Sequence, residues 1–69
     1  MADFRITLAA ARVNAGFTQR EVAERMLVTA NTVNNWENGK ATPSIVVARR
    51  LADLYGLDLD YIFFPEEAN

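Results

Sequence analysis

The chain has no cysteine and no histidine. Disulfides cannot hold the fold, which must rest on packing alone. The usual zinc, haem and iron–sulfur ligand sets are missing, so neither a metal site nor a cofactor is expected. A histidine general base and a cysteine nucleophile are excluded. The acidic residues that are present sit in no recognisable catalytic motif, so the chain does not read as an enzyme. Long apolar runs are also missing: none exceeds five residues, against the ~20 that a membrane span needs. Met1-Ala2-Asp3-Phe4-Arg5 offers no basic region leading into an apolar stretch. No signal peptide is expected, and a cytoplasmic location is. Glycine and proline are scarce, at three and two, and no long stretch alternates apolar with polar residues as a half-buried strand would.

What is present suits one small helical domain over residues 1–69. Hydrophobic residues make up 51% of the 69, and eleven of them are alanines. The larger apolar side chains suffice for one compact core but not for two layers around a deep substrate cavity. The net charge of −2 argues mildly against nucleic acid, but the distribution is uneven. Residues 58–69 carry Asp58, Asp60, Glu66 and Glu67 and no cation, while residues 1–57 hold all seven basic residues against five acidic ones. The body is mildly basic and the tail acidic, so net charge misleads about any local surface.

Helix punctuation is dense. Asp3 can cap a helix from about Phe4 to Ala15 with Phe4, Leu8, Ala11 and Ala15 as its inner stripe, and Gly16 ends it. Thr18-Gln19-Arg20-Glu21 is a capping box opening a second helix, 19–26, with Val22, Ala23 and Met26 inward and Phe17 as a staple. Met26-Leu27-Val28 leads to Thr29, the cap of a third helix, 30–38, that stops at Gly39. Ser44 can cap a fourth, 45–55, ended by Gly56; Asp58 can cap a fifth, 59–63, before Pro65. The expected fold is all-α, with five short helices.

The third helix is the informative one. With Val33 at the centre of its inner face, Thr29, Trp36 and Glu37 fall on or near that face, and Asn31, Asn34, Asn35 and Asn38 fall on the other. Interior asparagine costs ~0.5–0.7 kcal/mol relative to alanine, and solubility alone would be better served by Glu or Lys. An Asn amide sets a donor beside an acceptor, which matches the N6/N7 edge of adenine in the major groove. The bland alternative is a solvated face that happens to be rich in asparagine.

Context favours the first reading. Two short helices joined by a three-residue turn, the second with a polar outer face, form the helix-turn-helix pattern. The residues Arg12, Gly16-Phe17-Thr18-Gln19, Val22-Ala23, Val28-Thr29, Thr32-Val33, Trp36-Glu37-Asn38-Gly39-Lys40, Pro43-Ser44, Leu51-Ala52 and Gly56-Leu57 resemble the Cro/phage-repressor (XRE) family. The likeness runs from about Leu8 to Phe63 and implies a compact, lambda-repressor-like five-helix domain that binds double-stranded DNA, as a repressor acting on a palindromic operator.

The resemblance also implies roles. Gln19 lies where a helix N-terminus can meet a phosphate and can brace a side chain of the recognition helix. Thr29, Ala30, Asn31, Thr32 and Asn35 take the positions that enter the major groove. Asn31 and Asn35 would touch base edges, and Ala30 and Thr32 suit a thymine methyl or a phosphate. Many relatives carry longer Gln, Arg or Lys side chains here, so closer docking, water-mediated contacts or weak specificity are open. Asn34 would reach a flanking base or phosphate. Asn38, Gly39 and Lys40 resemble a loop whose backbone amides and ammonium hold a phosphate, with Thr42 adding a contact; Asn38-Gly39 is also a plain helix C-cap. Arg5 and Arg20 are further phosphate partners. Arg12 and Glu37 look like a structural pair, and Trp36, Val22, Ala23, Val28, Val33, Leu51, Ala52, Leu57 and Ile62 like core.

Leu27 stands where relatives usually have glycine or another residue tolerant of positive φ; a left-handed leucine costs roughly 1–2 kcal/mol, so either the turn differs slightly or the strain is accepted, and an exposed leucine could contact another protein. Leu59, Tyr61, Phe63 and Phe64 are more apolar surface than a short terminal helix can bury. They are expected to form a homodimer patch with Val46 or Val47, unless they fold back onto the core. With no second module in sequence, repression would act by occupying DNA or through a separate partner. The alternative is a protein-binding module or antitoxin-like partner that keeps the fold with little or no DNA binding.

Overall fold

The computed structural model describes residues 5–64; the expectations resting on Asp3, Phe4 and Pro65 lie outside that range. Within it the order is β1 (Ile6–Thr7), α1 (Leu8–Asn14), α2 (Gln19–Met26), α3 (Ala30–Asn38), α4 (Ile45–Tyr55), a 3-10 turn (Leu59–Tyr61) and β2 (Ile62–Phe63). Among the described residues there are four α-helices and one 3-10 turn, against the five helices expected. The last element begins as expected, with the Asp58 side chain accepting from the Asp60 amide at 3.3 Å. It makes only one 3-10 turn before Ile62 extends and β2 pairs in parallel with β1, Ile6 opposite Ile62 and Thr7 opposite Phe63. Two residues per strand are too few to show alternation, and the pairing joins opposite ends of the chain.

The first helix also starts later than the expected Phe4. Thr7 is its cap, accepting from the Ala10 amide at 3.0 Å, because the two residues before Leu8 are committed to the strand pair. The other starts follow local chemistry. The box at Thr18 is reciprocal: Thr18 N donates to Glu21 Oε1 at 2.8 Å and Glu21 N to Thr18 Oγ1 at 3.1 Å. Thr29 Oγ1 accepts from Thr32 N at 3.1 Å, and Ser44 Oγ from Val47 N at 3.2 Å.

The inward stripes of all four helices meet in one core. Leu8, Val22, Val33 and Leu51 are its most deeply buried large side chains, with Ala11, Ala23, Trp36, Ala48, Ala52, Tyr55, Ile62 and Phe64 around them. Val28 and Leu57, expected inside, pack against this core but remain half-buried. Phe64 is only 8% exposed. The β1–β2 pairing draws it inward, and it is withdrawn from the expected dimer surface. Tyr61 stays on the outside, 49% exposed, with Ile45 and Val46 also largely exposed.

Tyr55 is the polar exception in the core. Its ring packs at a tilt on Phe17, centroids 6.3 Å apart, and its buried hydroxyl has no hydrogen-bond partner among the described residues. Burial, and then the nearby Glu37 charge, push its pKa up to about 12, with Arg12 pulling the other way.

Candidate nucleic-acid interface

The interface is built by how α2 hands the chain to α3. The amides of Leu27 and Val28 both donate to the carbonyl of Ala23, the latter at 2.9 Å. That closure needs a left-handed residue, and Leu27 supplies it at φ 60°, ψ 43°. Three glycines adopt positive φ in this protein, and Leu27 is the only other described residue that does. Its side chain is 89% exposed, so packing does not repay the strain. The geometry turns Val28 back towards the core and leaves Thr29 extended at φ −85°, ψ 157°, the conformation of an N-cap.

Val33 and Trp36 anchor α3 from behind. On its outer side Ala30, Asn31, Asn34 and Asn38 are exposed, while Thr32 and Asn35 are half-buried at the edge. The sequence-derived face is thus brought together on one surface. Several of its groups are already engaged. The Thr29 and Thr32 hydroxyls lie 2.9 Å apart and share a hydrogen bond. Asn38 Oδ1 accepts from Lys40 N at 3.1 Å.

The loop after α3 differs from the expected phosphate cradle. Gly39 caps the helix at φ 83° and donates to the carbonyl of Asn35. Lys40 N and Ala41 N reach the same carbonyl at 3.0 and 3.3 Å. These amides are used to end the helix, and of the expected cradle the exposed Lys40 side chain is the group they leave outside it. Thr42 is exposed beside it and has a partner within the protein.

Glu37 is the one acidic residue on α3, and a bare carboxylate there would repel DNA. It is paired inward instead. Arg12 Nε donates to Glu37 Oε2 at 2.7 Å and Nη2 to Oε1 at 3.2 Å, while Nη1 donates to the Phe17 carbonyl at 3.0 Å. The two side chains are 14% and 6% exposed. The hydrogen bond to Glu37 raises the Arg12 pKa against the cost of burial, so the guanidinium stays charged. This fork fixes α1 to the end of α3 and cancels the charge.

Gln19, the first residue of α2, extends the same network. Its Nε2 donates to Glu37 Oε1 at 2.9 Å and to Asn34 Oδ1 at 3.2 Å. The expected bracing of a recognition-helix side chain is present, and the braced residue is Asn34. That Gln19 bridges Glu37 as well was not legible, since nothing local in the sequence ties position 19 to the expected Arg12–Glu37 pair.

The expected dimer residues divide. Leu59 and Phe64 line a groove of about 430 Å3 with Ile45, Ala48 and Ile62, and Phe63 is half-buried. None of the described residues forms a group able to hold a metal ion, and no described helix is long and apolar enough to cross a membrane.

The helix-turn-helix family profile matches residues 8–62. The chain is 39% identical over 57 residues to an uncharacterized HTH-type transcriptional regulator of Methanothermobacter thermautotrophicus, an overlap covering 81% of this chain and 83% of that protein. It is 34% identical over 58 residues to the uncharacterized HTH-type transcriptional regulator YqaF of Bacillus subtilis, covering 84% and 75% of the two. It is 32% identical over 59 residues to the HTH-type transcriptional regulator ImmR of Bacillus subtilis, covering 86% of this chain but 46% of ImmR. The chain therefore spans less than half of ImmR's length. No solved structure matches it.

Proposed function

The chain belongs to the XRE-type helix-turn-helix family, and from that premise we propose that it regulates transcription by binding a specific double-stranded DNA sequence with α3 in the major groove. The observation that carries this reading is the outer face of α3: a row of short amides, no uncompensated charge, and a rigid back formed by Val33, Trp36 and the Arg12–Glu37 fork. Asn31 and Asn35 read base edges there. Ala30, Thr29 and Thr32 shape the close approach, and Gln19, Asn34, Lys40 and Thr42 flank it towards the backbone, with Asn38 holding the loop.

Two copies act together on an inverted repeat. One domain offers few phosphate partners, Lys40, Arg20 and Arg5, and pairing two domains doubles them. The pairing surface uses exposed Tyr61, Ile45 and Val46 together with half-buried Leu59 and Phe63. Repression follows from occupancy of the operator. The test is fluorescence anisotropy with genomic fragments across a salt series. Three phosphate cations per domain predict that log K falls with log salt at a slope of about −5 for a dimer. No binding at low salt would refute the reading.

Leu27 favours a second reading, in which the domain also holds a protein partner as an antitoxin-like module does. An 89% exposed leucine in a strained conformation is a surface feature that DNA binding does not require. A stable hetero-complex lost on Leu27→Ala, with DNA binding intact, would establish it.

A further inference from the structure

The hydrogen bonds at the start of α2 have a direction, and it is set from inside the protein. Glu37, held by Arg12, is a carboxylate and can only accept. Gln19 must therefore present its NH2 group to Glu37 and turn its carbonyl oxygen away. The second N–H of the same group points at Asn34 Oδ1, 3.2 Å off. Asn34 accordingly presents its own NH2 group away from Gln19, and Asn34 is exposed. The chain of dependence runs Arg12, Glu37, Gln19, Asn34, from a charge-paired site that is nearly closed to solvent out to the edge of α3.

We propose that Arg12, Glu37 and Gln19 are positioning residues that lock the side-chain amide of Asn34 as an outward hydrogen-bond donor, so that Asn34 contacts an acceptor on DNA. This deepens the DNA-binding reading and rests on it. Asn34 then differs in kind from Asn31 and Asn35, whose amides the structure does not lock to another side chain and which can turn to match a donor–acceptor pair. The acceptor is either a phosphate oxygen or a base acceptor facing the groove, and the two leave different signatures.

The variant is Gln19→Ala, which leaves the Arg12–Glu37 fork in place; an unchanged thermal midpoint checks that the fold persists. The first arm uses the free protein. The Asn34 side-chain amide resonances in a 1H–15N spectrum should shift, sharpen and exchange faster with solvent in Gln19→Ala. Unchanged Asn34 resonances would overturn the relay whether or not the protein binds DNA. The second arm measures affinity for a selected DNA site. Gln19→Ala and Asn34→Ala should each weaken binding about tenfold, and the double variant should be no weaker than either single one. Full additivity, or no loss in Asn34→Ala, would overturn the proposal. An Asn34→Ala selection with every base preference retained identifies the acceptor as phosphate; one relaxed at a single base pair identifies it as a base. Absence of any wild-type DNA binding would sink the function and the DNA half of the proposal together, while the first arm still decides the relay.

Discussion

Leu27→Gly should stabilise this protein. A left-handed, non-glycine residue costs about 1–2 kcal/mol relative to its relaxed conformation, and Leu27 sits at φ 60°. The mutation removes that cost. It also lets the unfolded chain sample more conformations, which returns about 0.5–1 kcal/mol to the unfolded state. Loss of burial adds little, because the leucine is 89% exposed. The net gain is about 0.5–1 kcal/mol, or roughly 3–6 °C in the melting midpoint for a domain of this size. Urea denaturation followed by circular dichroism at constant pH would measure it, with Leu27→Ala as the control. Alanine keeps the Cβ that conflicts with the carbonyl, so it should gain nothing. If Leu27→Gly were less stable than the wild type, or if alanine matched it, the strain at this turn would not be what the geometry implies. DNA affinity should be unchanged in Leu27→Gly, because the glycine holds the same turn.

Tyr55→Phe should be neutral or stabilising by up to about 1 kcal/mol, since it removes a buried hydroxyl that has no partner in the described structure. The same residue sets an alkaline limit. Its folded pKa of about 12 lies above the ordinary value of 10.0, so the neutral hydroxyl costs no pH-dependent stability below pH 10, and above it ionisation of the unfolded chain draws stability away until pH passes 12. The loss is at most about 3 kcal/mol, and denaturation midpoints between pH 9 and 12 should fall less steeply in Tyr55→Phe than in the wild type. Trp36→Ala should cost about 3–5 kcal/mol, enough to leave a small domain largely unfolded by circular dichroism. Asn31→Ala and Asn35→Ala should each weaken binding to the preferred DNA by about 1–3 kcal/mol in titrations while melting as the wild type does. Tyr61→Glu combined with Ile45→Glu should leave the fold intact, shift sedimentation towards the monomer and weaken operator binding.

The parts of this fold that were legible in the sequence are those decided within a few residues. Thr18, Thr29 and Ser44 act on amides three positions away, so the bounds of α2, α3 and α4 follow from caps and following turns. The inner face of α3 follows from helical geometry once Val33 is taken as its centre. Elements decided across the chain were not legible. Residues 6 and 62 meet through a strand pair that no local pattern announces, and that pair delays the start of α1 and cuts the last helix to a 3-10 turn; for Phe64 the structure takes the fold-back onto the core that the sequence left open beside the dimer patch. The same division holds at the candidate interface. The Asn row was visible as a face, but three loop amides converging on Asn35 and the double role of Gln19 depend on how the helices are set against each other.

Selection of bound sequences from a random double-stranded DNA pool would probe the proposed role of α3 most directly. Asn31 and Asn35 on base edges, carried by two copies of the domain, predict an enriched inverted repeat whose half-sites lie one helical turn apart, ~34 Å, with preferences that relax at defined positions in Asn35→Ala. A pool that emerges unenriched, or an Asn35→Ala protein that selects the same sites as the wild type, would contradict the assignment of α3 to the groove.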